Sequence, residues 1–303
     1  MSDTAAVAPL MPALLEKAGL PPGPVPELVR QVSQFSGVWR LRFPRRDGVT
    51  VIYKEAWEPL HREADALRYA ESRGIPVPHV IASDHHDGRA AILMTDLGHP
   101  ARPATSADAA PLAAAIHQTP GSPDLPVIDA AALAAMPGRI AERASRHRLP
   151  VATIEAAATI AGSAARLAAP AIIQPVGLCH SEWHPESILI DATGHAHAYD
   201  WARAFTGPGL IDLASWHGTT SAPSPGETRA LIEAYVTAGG HRAALASRAG
   251  LPAEAWALGW HRLWAADWYL QQLDMGWIPD QRLANQHEAI TRHVSEAAAL
   301  LRL

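Results

Sequence analysis

Apolar and polar residues alternate in short stretches near the start of the chain, which is the pattern of half-buried β-strands. The first stretch runs from Val38 to Phe43 and the second from Val49 to Lys54, with an Asp-Gly turn signal in residues 45–48 between them. Two further strands are expected at residues 79–82 and 90–95. These four segments predict a small antiparallel sheet.

Helical spacing of apolar residues begins at Pro59 and continues to Arg73, where Gly74 is a suitable C-terminal cap. Residues 1–26 predict a short helix and a proline-rich linker. Beyond residue 98 the pattern is mostly helical, and Ser224 starts a capping-box spacing. One β-like island interrupts the helices, at residues 186–200.

Composition narrows the class of protein. Hydrophobic residues make up 48% and charged residues 18% of the chain, as in globular proteins. The net charge of −5 argues against nucleic acid or an anionic membrane as a partner. Cys179 is the only cysteine, which suits a reducing compartment, and no apolar run reaches the length of a membrane span. We therefore expect a soluble, cytoplasmic protein, either a monomer or a homodimer.

The β-like island holds the candidate chemistry. It contains the segment His180-Ser181-Glu182-Trp183-His184-Pro185-Glu186-Ser187, a hairpin and then Asp200-Trp201. A turn centred on residues 193–194 would place Ser187 opposite Asp200. Hydroxyl and carboxylate oxygens suit Mg²⁺, and a second carboxylate, that of Glu182, can orient an attacking hydroxyl. The nearby histidines do not predict zinc, because Pro185 interrupts the helix that a His-x₃-His pair requires.

This segment resembles the catalytic loop of the aminoglycoside phosphotransferase and choline kinase-like family. The usual family pattern is His-Gly-Asp-x-His-Pro-x-Asn, a hairpin and an Asp followed by an aromatic residue. The resemblance covers residues 30–240 and implies an α+β, two-lobe protein-kinase-like fold. It implies a nucleotide-binding lobe at residues 1–95, including an extension at 1–26, and a helical catalytic and substrate-binding lobe at 96–303.

The resemblance also implies the roles of individual residues. Glu182 would be the catalytic base and Asp200 a catalytic metal ligand, while His180 and Asp212 would support the loop. Lys54, one of only two lysines in the chain, would bind the nucleotide. Glu63 would pair with it and is favoured over other nearby glutamates because it lies inside the helical pattern. The full nucleotide and metal set is Lys54, Glu63, Met94, Thr95, Asp96, Leu97, Ser187 and Asp200.

Three residues depart from the family pattern. Glu182 stands in place of Asp, so its carboxylate reaches about an ångström further, and displacement on that scale can cost about a hundredfold in rate. Ser187 stands in place of Asn and keeps an oxygen ligand. Ser181 stands in place of Gly, which predicts that the turn does not need a positive φ.

Four tryptophans recur at steps of four along the C-terminal helical pattern, from Trp256 to Trp268. Such spacing gives one broad face, which suits either core packing or the wall of an acceptor site. The candidate acceptor residues are Trp264, Asp267 and Trp268.

The implied activity is transfer of the γ-phosphate of ATP or GTP, with Mg²⁺, to a hydroxyl of a small molecule. Antibiotic modification, and hence resistance, is the preferred interpretation. The alternatives are a metabolic kinase of the choline, homoserine or sugar-amine type, and a pseudokinase that binds nucleotide with little turnover.

Overall fold

The structure, a computed structural model, describes three stretches of the chain: residues 10–33, 36–44 and 48–303. Most of the expected Asp-Gly turn, residues 45–47, lies outside the described residues. The chain divides into two compact units, which are Met1–Pro103 with Ile188–Arg203 and Ala104–Ser187 with Ala204–Leu303. The hairpin that precedes Asp200 therefore belongs to the first unit, whereas the boundary expected at residue 95 assigns it to the second.

A five-stranded antiparallel sheet forms the first unit, in the order β1-β2-β3-β5-β4. The strands are β1 (Val25–Ser33), β2 (Ser36–Phe43), β3 (Val49–Trp57), β4 (Val80–His86) and β5 (Arg89–Thr95). The sequence pattern did not predict β1. Its consecutive residues Leu28 and Val29 are both exposed, and a register shift follows Leu28, so the alternation that marks a half-buried strand is lost.

A short helix, α1 (Met11–Lys17), covers one face of this sheet. Leu14 of α1 is fully buried in a cluster with Leu41, Tyr53 and Leu93 from the central strands. Because side chains alternate across a strand, Lys54 points to the opposite face from Tyr53. The sheet thus has an apolar side covered by α1 and an opposite side that carries Lys54.

The helix after β3, α2 (Glu63–Ser72), begins later than the sequence pattern predicted. The residues from Pro59 instead form turns, one of them closed by the Leu60 N–H donating to the Trp57 carbonyl at 2.8 Å. Gly74 follows the helix with φ of +76°, which confirms its predicted capping position. Glu63 therefore lies in the first turn of α2.

The hairpin of the first unit pairs β7 (Ile188–Ile190) with β8 (Ala196–Ala198). The expected register is wrong by one residue, because Ile188 lies opposite Ala198 and the ladder includes neither Ser187 nor Asp200. The Asp191 N–H donates to the His195 carbonyl at 2.9 Å, which leaves a three-residue loop at 192–194 with Gly194 at φ of +88°. Asp191 Oδ1 accepts hydrogen bonds from the Thr193 and His195 N–H groups. A loop one residue longer than expected shifts every pair.

Helices dominate the second unit. They are α3 (Ser106–Gln118), α4 (Ala130–Arg146), α5 (Val151–Ala168), α6 (Gly209–Leu213), α7 (Pro225–Thr237), α8 (Ala253–Asp274) and α9 (Leu283–Leu300). Ser224 caps α7 by accepting from the Glu227 N–H, as its spacing predicted. The expectation of a single β-like island is wrong, because β6 (Val176–Cys179) also pairs with β9 (Phe205–Pro208).

The tryptophans of α8 do not all have the same surroundings. Trp256 and Trp260 are fully buried, and the Trp256 indole donates to the Leu167 carbonyl at 2.7 Å. Core packing therefore accounts for these two residues. Trp264 and Trp268, one and two turns further along, are only partly buried.

The docking of α1 is tested by shortening Leu14. Leu14→Ala should lower the free energy of unfolding by about 2–5 kcal/mol, because it leaves a cavity under a fully buried side chain. Chemical denaturation with a probe in the first unit measures the change. Glu16→Ala, on the exposed side of the same helix, is the control and should change stability by no more than about 0.5 kcal/mol. Equal stability of the two variants would mean that α1 is not docked.

Candidate active site

Charged side chains from three separate segments of the first unit meet in one cluster, with Lys54 at its centre. Its Nζ lies 2.6 Å from Oε2 of Glu63, on α2, and 2.5 Å from Oδ1 of Asp200, which follows β8. The side chains of Lys54 and Glu63 are almost fully buried, while that of Asp200 is 28% exposed. The ion pair between Lys54 and Glu63 that the sequence predicted is therefore present, and Asp200 shares the same ammonium group.

The electrostatics of this cluster favour a charged lysine. Burial by itself lowers the pKa of Lys54, but the adjacent carboxylates of Asp200 and Glu63 outweigh it and raise the pKa above its usual value. Burial raises the pKa of Glu63, against the opposing effect of Lys54, and Asp200 adds repulsion between like charges. Two carboxylates thus compete for one ammonium group.

The backbone around Asp200 holds the carboxylate in place. Asp200 has φ of +68°, a conformation that non-glycine residues adopt rarely and that surrounding contacts must impose. The next residue, Trp201, is fully buried; its backbone N–H stabilises the Glu63 carboxylate and its indole donates to the Ala198 carbonyl. Glu63 therefore fixes both the lysine and the backbone that presents Asp200.

A divalent cation fits this cluster on grounds of charge. One ammonium shared by two carboxylates leaves a net negative charge, and Asp200 is the member that solvent reaches. Ser187, the other predicted metal ligand, is buried, and its hydroxyl donates to the His184 carbonyl at 2.8 Å and accepts from the His184 N–H at 3.1 Å. Those bonds leave the Ser187 oxygen one lone pair for a further ligand.

The predicted hinge, Met94 to Leu97, follows from the end of β5. Asp96 receives a bidentate pair from Arg40 of β2, with Nε to Oδ2 at 2.6 Å and Nη2 to Oδ1 at 3.1 Å. It also accepts from the Gly98 N–H, and these bonds hold its pKa below the usual range despite partial burial. Arg40 was missed by the sequence analysis, since it lies on the polar face of a strand where an exposed arginine is ordinary.

In the second unit, Asp212 holds the loop that begins at His180. Its carboxylate accepts from the backbone N–H groups of His180 at 2.7 Å and Ser181 at 2.6 Å, and it lies 3.1 Å from Nε2 of His117. Although burial raises the pKa of Asp212, these partners outweigh burial and keep the pKa below its usual value. His117, at the end of α3, had no recognisable signal in the sequence.

The conformation of Ser181 contradicts one expectation. Its φ is +78°, so the position does require the left-handed region, and serine there carries strain that glycine would not. The hydrogen bond from its N–H to Asp212 supplies a contact that holds it there. Glu182 follows directly and is half-buried.

The candidate acceptor residues lie on α8 within the second unit. Asp267 is buried, and its carboxylate pairs with Arg143 at 2.7 Å and approaches Arg139 at 3.6 Å. The Trp264 ring lies 5.4 Å from that of Phe205, and the Trp268 ring meets Trp277 edge to face at 6.0 Å. This surface is therefore aromatic, and its buried carboxylate is already neutralised by arginine.

Among the described residues, no helix combines the length and the apolar character needed to cross a bilayer.

Comparison with solved structures places this fold among kinases. A choline/ethanolamine kinase family protein from Mesorhizobium loti matches with a TM-score of 0.63 and 21% identity, covering 97% of this chain and 95% of its own. Choline kinase LicA from Streptococcus pneumoniae matches with a TM-score of 0.62, 12% identity and coverage of 94% and 99%. Spectinomycin phosphotransferase APH(9)-Ia, in complex with ADP and spectinomycin, gives a TM-score of 0.54, 13% identity and coverage of 92% and 93%.

These identities are low, so the likeness establishes the two-lobe kinase-like fold alone. No curated protein sequence matches the chain. The sequence profile described as the phosphotransferase enzyme family matches residues 29–251, which is well over half of the chain. This match includes Lys54, Glu63, the 180–187 loop, Asp200 and Asp212. The chain therefore belongs to the phosphotransferase enzyme family and is a small-molecule kinase.

Proposed function

We propose that this kinase transfers the γ-phosphate of ATP or GTP, with Mg²⁺, to a hydroxyl of a small antibiotic, and so inactivates it. The observation that carries the proposal is the buried ammonium of Lys54 shared between Glu63 and Asp200. A fixed cation beside a partly exposed carboxylate suits a nucleotide phosphate on one side and a metal ion on the other.

The Lys54 cluster and the predicted hinge in the first unit each have a role in this proposal. Lys54 has three N–H donors, of which two point to Glu63 and Asp200, so the third can reach an α- or β-phosphate oxygen. Asp200 would hold Mg²⁺. Bound Mg²⁺ would supply neutralisation of the charge on the transferred phosphoryl group. The hinge from Met94 to Leu97 would hold the purine base of the nucleotide.

Glu182 is proposed to orient the acceptor hydroxyl and accept its proton. A carboxylate suits this task, because in phosphoryl transfer positioning and electrostatics matter more than the strength of the base. His180 and Asp212 would act through the loop backbone and would not touch the substrate.

The second unit favours an acceptor that is not strongly cationic. The Asp267 carboxylate is paired with Arg143, and Asp274 is paired with Arg143, Arg146 and His147. Carboxylates committed to arginines bind an amino sugar poorly, since the arginine would have to be displaced. Trp264 and Trp268 instead offer ring faces to an apolar or aromatic acceptor. Among hydroxylated antibiotics, we therefore place macrolides and nucleoside antibiotics ahead of aminoglycosides.

This choice is tested with a panel of hydroxylated antibiotics and a coupled assay for ADP release. The panel should include macrolides, nucleoside antibiotics, spectinomycin and aminoglycosides, together with choline, homoserine and a sugar amine. Turnover with a metabolic acceptor alone would replace the antibiotic proposal with that of a metabolic kinase.

A pseudokinase is the second candidate function. It is favoured by Glu182 and Ser187 in place of the usual Asp and Asn, and by the hydrogen bonds that already engage the Ser187 hydroxyl. It predicts that nucleotide binds but that no acceptor on the panel increases ADP release.

Asp200→Asn tests the proposed metal ligand, because it keeps the shape of the side chain and removes its charge. Turnover should fall by about a hundredfold or more, since Mg²⁺ loses its main carboxylate. Steady-state kinetics across a range of Mg²⁺ concentrations measures the effect. Asp280→Asn, at an exposed position of the second unit, is the control. Activity of Asp200→Asn within tenfold of wild type would contradict the assignment.

Lys54→Met tests the nucleotide contact. The KM for ATP should rise by about 10–100-fold, because a charge-assisted hydrogen bond of about 1.5–3 kcal/mol is lost. The matched control is Lys17→Met, which removes the other lysine of the chain. Lys54→Met also leaves Glu63 buried without its partner, so Lys54→Met with Glu63→Gln separates loss of binding from loss of stability. An unchanged KM for ATP in Lys54→Met and in the double variant Lys54→Met with Glu63→Gln would exclude Lys54 from the nucleotide site.

Substitution of Glu182 separates the two candidate functions. Glu182→Gln should lower turnover by about 10²–10⁴-fold at similar nucleotide affinity, which is the usual contribution of a general base. Glu182→Asp should also lose activity, because the shorter side chain falls short of the hydroxyl. A sharp gain of turnover in Glu182→Asp with Ser187→Asn would instead identify a decayed kinase.

A further inference from the structure

Arg40 lies on the same face of the sheet as Lys54. In the register of β2 with β3, Val38 lies opposite Lys54 and Arg40 lies opposite Ile52. Paired residues of an antiparallel sheet point to the same side, and so do residues two apart along one strand. Arg40 and Lys54 therefore both project from the side of the sheet that α1 does not cover.

The side chain of Arg40 crosses β3 to reach the end of β5. Its partner Asp96 comes directly after Thr95, which lies opposite Val51 of β3. The guanidinium is therefore level with residues 50–52. At a rise of about 3.3 Å per residue, this level is about 7–13 Å along β3 from that of Lys54. A nucleotide that places its phosphates on Lys54 and extends towards the predicted hinge would bring its base to Arg40.

Hydrogen bonds occupy the edge of the Arg40 guanidinium. Nε and Nη2 donate to the two oxygens of Asp96, and Nη2 also donates to the Gly98 carbonyl at 3.2 Å. Nη1 lies 3.3 Å from Nε2 of His99. Because a guanidinium directs its N–H groups within its own plane, these bonds fix the orientation of that plane. A ligand is therefore met by a face of the guanidinium and not by its edge.

Asp96 positions this guanidinium and has little capacity left for a ligand. Its carboxylate accepts two hydrogen bonds from Arg40, one from the Gly98 N–H at 2.9 Å and one from the Thr50 hydroxyl. Four hydrogen bonds are about the full capacity of a carboxylate. The Asp96 side chain is also only 5% exposed.

A cleft of about 340 Å³ adjoins the guanidinium. Arg40 and Thr50 line it from the sheet, and Asp96, Gly98 and His99 line it from the segment after β5. A cleft of this size is within the usual range of small-ligand sites. A planar cation in its lining suits an aromatic ring, because the face of such a ring attracts positive charge.

We propose that Arg40 is a further nucleotide-binding residue, which stacks a face of its guanidinium on the base of the nucleotide in this cleft. The proposal rests on the proposed use of a nucleotide and adds a contact to the base. Stacking is tolerant of base identity, because every base has a π-face, whereas hydrogen bonds to the base edge select one base. Arg40 should therefore contribute equally to adenine and guanine nucleotides.

Calorimetric titration of the full chain with MgADP, MgGDP and magnesium pyrophosphate tests the contact. Arg40→Lys keeps the positive charge beside Asp96 and removes the planar face. The Kd values for MgADP and MgGDP should each rise about 5–30-fold, while that for pyrophosphate, which has no base, should stay within about twofold. Arg68→Lys, at a 46% exposed arginine beside Asp65 on α2, is the control and should bind all three ligands as wild type does.

An unchanged Kd for MgADP in Arg40→Lys would overturn the proposal. An equal loss of pyrophosphate binding would also contradict it, because the effect would not depend on the base. A loss confined to one purine would indicate a hydrogen bond to the base edge and would contradict stacking.

NMR of the wild-type protein gives a second readout that does not depend on the folding of a variant. The ring current of the base should shift the Arg40 Nε–H signal when MgADP binds, and pyrophosphate should leave that signal in place. The absence of a shift with MgADP would contradict the contact. Acceptor-dependent ADP release tests the proposed transfer separately: a wild type without turnover that still shows the base-dependent loss in Arg40→Lys would contradict the transfer and support the stacking.

Discussion

A single buried ammonium group organises the first unit. Lys54 comes from the sheet, Glu63 from α2 and Asp200 from the residues after β8, and removing Lys54 would leave the Glu63 carboxylate buried without its partner. Lysine suits this place better than arginine, although the chain contains 23 arginines and only two lysines, because a compact ammonium can direct donors to three separate groups. The arrangement makes the position of the sheet, helix and hairpin interdependent.

In the second unit, a buried negative charge fixes the position of a loop. Asp212 is an anion held by N–H groups, two from the backbone of the 180–187 loop and one from His117. No side chain of the loop is needed for this contact, so the residues at 182 and 187 can differ from the family pattern while the backbone path is kept. This freedom explains how a variant loop can occur within an intact fold.

Residues in linear motifs were predictable from the sequence, and residues that act through distant partners were not. Lys54, Glu63 and Asp200 each lie in a recognisable local pattern, and the structure brings them together. Arg40 and His117 lie in no linear motif, and only the fold brings them to their partners, which are 56 and 95 positions away. The hairpin register failed for a related reason, because the Asp191 side chain, which sequence spacing does not weigh, supports a longer loop.

The positive φ of Ser181 makes the effects of two positions depend on each other. Serine is held in that conformation by the carboxylate of Asp212, whereas glycine would adopt it unaided. The cost of losing the carboxylate is therefore larger with serine at 181 than with glycine. Such epistasis restricts the order in which substitutions can accumulate: a lineage that acquires serine at this position becomes more dependent on the aspartate, and only a prior return to glycine relaxes that dependence.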